Sequence, residues 1–378
     1  MIKKCLCMLL VLSFLLPLSG CWNYRGLNEM IVIVGLAIDK NDSDGYKVTF
    51  ETVDLNTSVK ESGPKSKMIE AEGKTIFDAV RNAKKRVTSK LYLGQAQIVI
   101  ISEELGREQD IEELIDWCMR DGECRETMYF LISQEKTAGE VLSAPGLDQP
   151  LISNEIKKIL EADQTVTSST ISMELYQIFD RVRAQGKDLT LPAIHNIKND
   201  GGTFCEINGI AVYKGSRLAG FLSSEETKYV LFVIDKVEGG LLILTPTGKV
   251  KETSLEISKN KTRTSFQHKD GKIIFTIKTE TDVYLDEYMG KEDALSDKQT
   301  KAIEDAAEKM LEENIAAVID TVQTKYNADI FGFGNKIYKK DFDFWQKQKD
   351  HWDEIFPNIE VNVESTVHIL NTAAIRET

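Results

Sequence analysis

Lys198-Asn199-Asp200-Gly201-Gly202 decides how the fold divides. The stretch holds two opposite charges, an amide and two glycines, and no apolar side chain. It has nothing to bury, so its backbone is expected in solvent as a loop or linker. The hydrophobic pattern also changes across it. Upstream, short apolar runs alternate with helical periodicity; downstream come two long alternating segments and one long amphipathic stretch. These patterns predict a multi-domain α+β protein with a boundary at 198–202. An N-terminal mixed sheet with flanking helices would precede it, and a C-terminal antiparallel sheet packed on long helices would follow.

On the upstream side, Leu191-Pro192-Ala193-Ile194 closes a small helical segment, 146–200, belonging to the N-terminal half. Within it, 152–160 and 173–184 have helical spacing around a Ser/Thr loop at 165–170. Pro145-Gly146 and Pro150 separate this segment from an α/β domain at 21–145. There the near-continuous apolar run 30–38 reads as a buried strand. Asp42-Ser43-Asp44-Gly45 turns the chain into a second strand, 46–53, as a hairpin. Asp42, Asp44 and Glu51 brush against calcium-loop spacing, but Lys40 stands where the first carboxylate ligand belongs, which favours the turn. Residues 56–67, with Gly63-Pro64, are polar and read as an exposed loop. Thr75 can cap a helix at 76–88. A strand at 97–101, a helix at 111–119 with Ile111, Leu114, Ile115 and Cys118 facing inward, and a strand at 127–132 complete the alternation.

Downstream, a C-terminal α+β domain spans 203–378. Strands are expected at 205–213 and 218–222 around Lys214-Gly215, then a Ser223-capped helix to Lys236 and a strand at 241–244. The long segments 250–267 and 272–288 flank Lys269-Asp270-Gly271 as a second hairpin. Ser296 and Gln299 form a capping box opening the longest helix, 297–325. A last strand is expected at 359–370.

The N-terminus carries a different message. Lys3 and Lys4 precede an apolar run that ends at Leu18-Ser19-Gly20-Cys21. A basic start, a short apolar core and a small-residue cut site make residues 1–20 a secretory signal. The run is shorter than the roughly 20 residues needed to span a bilayer. Cys21 after two small residues resembles a bacterial lipobox, whose cysteine takes a diacylglycerol and becomes the mature N-terminus. Two or more acyl chains, of the palmitate class, anchor durably where one does not.

Formal charge is −13, and loss of Lys3 and Lys4 leaves the mature part near −15. Such a body repels nucleic acid and anionic headgroups, so neither is an expected partner. Cys118, Cys124 and Cys205 remain after the signal and the anchor; a Cys118–Cys124 disulfide is possible in an exported chain. The histidines His195, His268, His351 and His368 share no metal or triad spacing, and no Gly-x-Ser-x-Gly elbow, His-Glu-x-x-His or Walker loop occurs. No enzyme, cofactor or metal is expected.

One stretch stands out. Asp329-Ile330-Phe331-Gly332-Phe333-Gly334 follows the longest helix, with Trp345, Trp352, Phe356 and Pro357 downstream. Alternating glycines permit a tight reversal, and the aromatics ask for burial. Gly332 or Gly334 is expected at positive φ. The favoured role is structural, with direct partner contact as the other.

Together these residues resemble the Ger(x)C lipoproteins, the C subunits of the germinant receptors of spore-forming bacilli and clostridia. The likeness covers the whole chain. Cys21-Trp22-Asn23-Tyr24-Arg25-Gly26-Leu27-Asn28-Glu29 looks like the family's Cys-Trp-Asp-x-Arg-Glu-Leu-x-Glu, with Asn23 and Gly26 as departures. Val34-Gly35-Leu36-Ala37-Ile38-Asp39 is similar to its first strand, and Gly73-Lys74-Thr75-Ile76-Phe77-Asp78-Ala79 to its first helix start. Asn208-Gly209-Ile210-Ala211-Val212-Tyr213 and the stretch from Asp329 to Phe356-Pro357 match two later motifs. Trp22, Arg25, Gly35, Asp329, Gly332, Gly334, Trp345 and Trp352 thus form a family signature, with Cys21 as the lipidation site.

The resemblance implies a non-catalytic, lipid-anchored subunit of a nutrient-sensing receptor on the outer face of the spore inner membrane. It would work beside an A subunit and a transporter-like B subunit, in receptor assembly or signalling, without a small-molecule ligand of its own. The alternative is a solute-binding lipoprotein of an importer. Its usual two similar lobes are not suggested here, because the second half does not repeat the first.

Overall fold

The computed structural model describes residues 29–54, 65–246, 250–269, 272–290 and 296–371. Its first sheet holds nine strands: β1 (Met30–Lys40), β2 (Tyr46–Asp54), β3 (Lys65–Gly73), β4 (Lys90–Tyr92), β5 (Ile98–Ser102), β6 (Tyr129–Ser133), β7 (Thr190–Asn199), β8 (Gly202–Lys214) and β9 (Arg217–Leu222). The order is β3-β2-β1-β5-β6-β7-β8-β9, with β4 beside the first residues of β1. β1, β5, β6 and β7 run parallel to their neighbours, and antiparallel pairs flank them on both sides. Parallel strands are covered on both faces, which explains the unbroken apolar runs in β1 and β5.

Two groups of helices supply that cover. α1 (Ile76–Ala83), α2 (Glu103–Glu108), α3 (Ile111–Arg120), α4 (Ala138–Leu142), α5 (Ile152–Val166) and α6 (Leu175–Arg183) occur in this half. Leu36, Ile38, Val99 and Ile101 pack with residues of α1, α3 and α6. The alternate residues Ala37, Ile98, Ile100 and Leu131 pack with α4 and α5. α7 (Ser224–Val233) then leads to a second sheet of β10 (Leu241–Leu244), β11 (Thr253–Lys269), β12 (Lys272–Tyr288) and β13 (Glu360–Asn371). α8 (Asp297–Thr321) crosses one face, burying Ile303, Ala307, Leu311, Ile315, Val318 and Ile319. α9 (Phe333–Lys340), α10 (Phe342–Gln348) and α11 (Trp352–Ile355) come between α8 and β13 in chain order. The larger apolar cluster runs continuously from the first sheet into the second.

The α+β architecture agrees with the sequence, and the boundary expected at 198–202 falls inside one continuous sheet. Lys198–Gly202 forms the exposed tip of the β7–β8 hairpin, where Asn199 pairs Gly202 and the Asn199 Oδ1 accepts from Gly201 N at 2.9 Å. Polar, glycine-bearing chemistry suits a tight turn as well as a linker, and the sheet continues through it. β8 and β9, expected in the C-terminal domain, complete the first sheet instead. The proposed helical segment 146–200 is likewise dispersed: α5 and α6 cover different faces, and Leu191 to Ile194 lie within β7. The chain passes to the second sheet at 234–240, where Asp235 and Gly240 take positive φ.

Smaller differences have local causes. β3 begins at Lys65, inside the loop expected at 56–67, and runs on through residues 68–73, to which no element was assigned; its exposed lysines disguise an edge strand, where charge is a common protection. α1 ends at Ala83 in a three-residue 3₁₀ turn, short of 88. Cys118, Cys124 and Cys205 are free thiols. The second sheet is antiparallel from β10 to β12, but β13 joins β12 in parallel, so the expected all-antiparallel sheet is mixed. A parallel return needs a long crossover, which α8 to α11 provide.

The outer edge of β13 is closed by side chains of α8. Glu312, Glu308 and Glu304 accept from the backbone N–H groups of Ser365, Val367 and Ile369 at 3.0, 3.2 and 3.0 Å. Four helical residues rise about 6 Å and two strand residues about 6.6 Å, so the two spacings match.

Trypsin is expected to nick the exposed tip at Lys198. Because β7 and β8 are paired along their length, the two fragments should elute together in size-exclusion chromatography and separate only in denaturant. Fragments that elute apart under native conditions would restore the boundary at 198–202.

Candidate functional site

Asp329 organises the region that the sequence singled out. α8 continues into a π turn, Val322–Tyr326, and Asn327 at φ +46° ends it. Gln323 fixes the exit by donating from Nε2 to the carbonyls of Phe356 (2.8 Å) and Ile359 (3.1 Å). The Asp329 side chain then points inward, only 2% exposed. Its Oδ1 accepts from Gly332 N (2.8 Å) and Phe333 N (2.9 Å). Its Oδ2 accepts from Gly334 N (2.7 Å) and Trp352 Nε1 (3.2 Å). Burial pushes the carboxyl up to about 6, and the backbone N–H donors pull it the other way. Carboxylate charge at the start of α9 also complements the helix dipole.

A second acid ties this knot to the first sheet. Asp188 Oδ2 accepts from Asp329 N at 2.7 Å, and Asp188 N donates to the Asp329 carbonyl at 2.9 Å. Asp188 Oδ1 accepts from Gly215 N at 2.9 Å, in the β8–β9 turn. Burial raises the Asp188 carboxyl, opposed by Lys214 at 3.8 Å.

The glycines and tryptophans complete the packing. Gly332 has φ +73° and Gly186, opposite, φ +65°. A Cβ on Gly334 would lie 2.8 Å from Gly186 Cα and from the Trp345 ring. Trp345 Nε1 donates to Gln185 Oε1 at 2.9 Å, and its ring meets Trp352 edge-on at 5.2 Å. Phe333 stacks on Phe275 of β12 at 4.2 Å and on Phe331 at 5.3 Å. Signature residues Asp329, Gly332, Gly334, Trp345 and Trp352 are therefore one interior cluster.

Gly35 lies elsewhere, in β1. A Cβ there would sit 2.0 Å from Ser153 Oγ. The closeness serves Glu51, a fully buried carboxylate on β2 that accepts from Ile152 N and Ser153 N, both at 2.9 Å, and from the Ser153 hydroxyl. Asp39 does the same for α4, accepting from Ala138 N (2.6 Å) and Gly139 N (3.0 Å). Glu51 thus caps α5 in the structure, where its spacing had brushed against a calcium loop. Asp188, Gln185 and Gly186 were missed; their only sequence signal is an acid beside glycine ahead of an apolar strand. Cys21, Trp22 and Arg25 lie outside the described residues.

The histidines stay apart. His195 bonds Glu206 at 2.9 Å and the Asn208 amide at 3.1 Å, while His268 stacks on Phe344. Among the described residues no group of three or more acids, histidines or cysteines is placed to hold a metal.

Comparison with known proteins gives this arrangement its kinship. The family model described as spore germination protein N-terminal domain matches residues 23–196. The model described as spore germination B3/GerAC like, C-terminal, matches 208–373. The chain belongs to the Ger(x)C family. The two Ger(x)C models meet at the β7–β8 hairpin, inside a sheet that is continuous in the structure. Spore germination protein B3 of Bacillus subtilis (strain 168) is 26% identical, over 94% of this chain and 95% of the relative. Spore germination protein KC of the same organism is 24% identical, over 98% and 97%. The crystal structure of the GerBC protein shares the fold, with a TM-score of 0.57 at 23% identity over 89% of this chain and 97% of that one.

Proposed function

We propose that this Ger(x)C protein is a non-catalytic, lipid-anchored subunit of a nutrient-sensing spore germination receptor, needed for the assembly or signalling of that receptor. What carries the reading is likeness along nearly the whole length to spore germination proteins, joined to Leu18-Ser19-Gly20-Cys21 at the front. Cys21 is the lipidated residue, and A and B subunits of the receptor are the partners. The site of action is the outer face of the spore inner membrane.

The physical chemistry is consistent with such a role. Among the described residues no helix is long and apolar enough to cross a membrane. A body of charge near −15 gains nothing from anionic lipid, so attachment falls to the acyl chains. The stretch from Cys21 to Met30 reaches at most roughly 30 Å when extended, which keeps the folded body beside the bilayer. A single continuous core linking both sheets suits a rigid scaffold. The Asp329 cluster is structural in this reading, since its aromatic side chains are spent inside the chain.

Cys21→Ala is expected to abolish the lipid adduct, move most of the protein out of the membrane fraction and weaken the germination response to nutrient. Mass spectrometry, fractionation and germination assays on spores of the variant test this. A variant that keeps the lipid mass, or one that loses the lipid and germinates normally, would overturn the anchored-subunit reading.

A further inference from the structure

We propose that a cavity between α7, β11 and α9 binds a small, multiply charged oxyanion of the phosphate class. The cavity measures about 390 Å³ and is lined from the end of α7, β11, the start of α9 and the loop that carries Lys187. Its wall includes Lys187, Lys336, Lys339 and Lys340, against one carboxylate, Asp235. In a chain with 60 acids and 47 basic residues this is a local reversal of sign. Arg181 of α6 and Lys236 just beyond α7 add positive charge from behind.

These cations have few internal partners. Lys336 Nζ donates to the Thr264 carbonyl at 3.1 Å, and Asp235 is engaged by Thr262 N at 2.6 Å. Lys187, Lys339 and Lys340 form no ion pair among the described residues. Lys339 and Lys340 stand at the C-terminal end of α9, where the helix dipole favours them. No such reason applies to Lys187. Its stem lies across Gly332, where a Cβ would come within 2.8 Å of Lys187 Cδ. The positive-φ glycine therefore leaves room for the lysine. The first N–H groups of α9 are already taken by Asp329 and Gly186, so the lysines alone supply the attraction.

Like charges gathered without a counter-ion are costly unless something neutralises them. Burial, followed by Arg181, Lys339 and Lys236, holds Lys187 down to about 7, with Asp329 pulling it up. An anion in the cavity would raise it again, so binding takes up a proton above neutrality. The share of the attraction that Lys187 supplies is then fullest below about pH 7 and falls as pH rises. Cavities of roughly 300–1,000 Å³ are the usual size for small ligands, which suits a diphosphate or a phosphomonoester.

The test uses the mature lipidated chain in neutral detergent, with inorganic pyrophosphate as probe and calorimetry and thermal shift as readouts. At pH 8 binding is expected to take up a proton at Lys187, read by calorimetry in buffers of different ionisation enthalpy, and Lys187→Met should lose that uptake. Loss of one charge-assisted contact should weaken binding by roughly tenfold in Lys187→Met, which keeps the packed stem. Lys339→Gln, at an exposed position, should weaken it less, and Lys85→Gln on the other part of the molecule should not change it. Vesicles of phosphatidylglycerol, set against phosphatidylcholine, separate the sources. A preference for phosphatidylglycerol over phosphatidylcholine vesicles that Lys187→Met removes assigns a lipid headgroup, whereas pyrophosphate binding without such a preference assigns a soluble anion. Absence of pyrophosphate binding, or equal binding by wild type and both cavity variants, overturns the site.

Discussion

Asp329→Ala is expected to lower the melting temperature by about 10 °C or more, or to prevent soluble folding altogether. The substitution strands four donors in the interior: the N–H groups of Gly332, Phe333 and Gly334, and Trp352 Nε1. A buried donor left unsatisfied costs roughly 1–3 kcal/mol, so even with relaxation the loss is on the order of 4 kcal/mol. Total stability is only about 5–15 kcal/mol. Asp329→Asn keeps one acceptor oxygen and should fall between the two. Thermal denaturation of the three proteins checks the order, and an unchanged melting curve for the alanine variant would remove Asp329 from its central place.

Gly334→Val should cost nearly as much for a different reason. Gly334 has no unusual φ, so the penalty is steric. Its Cβ would meet the backbone of Gly186 on one side and the Trp345 ring on the other, both at 2.8 Å. Backbone cannot rotate away as a side chain can, and the two further methyls of valine aim at the same packed space. Overpacking of this kind typically costs about 1–3 kcal/mol, and the upper end is expected here. Gly332→Ala provides the contrast: it adds roughly 1–2 kcal/mol of backbone strain, but the neighbouring Lys187 stem can yield. Gly334→Val should therefore melt lowest of the two. If the stretch were an exposed docking loop, both variants would melt like wild type and fail only in assembly with partners.

Features written locally in the sequence were legible. Ser296 with Gln299 and Ser223 with Glu226 form capping boxes, and Thr75 caps α1, because a cap involves residues three apart. The apolar runs of β1 and β5 announced buried strands. Long-range pairing was not legible. Nothing within Lys198–Gly202 distinguishes a hairpin tip from a linker; the difference lies in Thr190 and Val212 finding each other. The orientation of β13 depends on how far the intervening helices carry the chain, not on its own residues. The cluster of Asp329, Gly332 and Gly334 was visible as chemistry, and its aromatic packing followed. Its partners Gln185, Gly186 and Asp188 sit some 140 residues earlier and carry no pattern that points to it.

The glutamates of α8 act as a clasp for the last strand. β13 is the final described element, so β12 and α8 are already synthesised when it arrives. Sliding β13 by one residue would turn each of its side chains to the opposite face and carry Val367 out of the core. The buried face chooses the register, and the three carboxylates of α8 then hold the strand's open edge, so helix and strand secure each other only once both have docked. A parallel return, otherwise slow to form, is in this way left with no unpaired edge at its three central outward N–H groups.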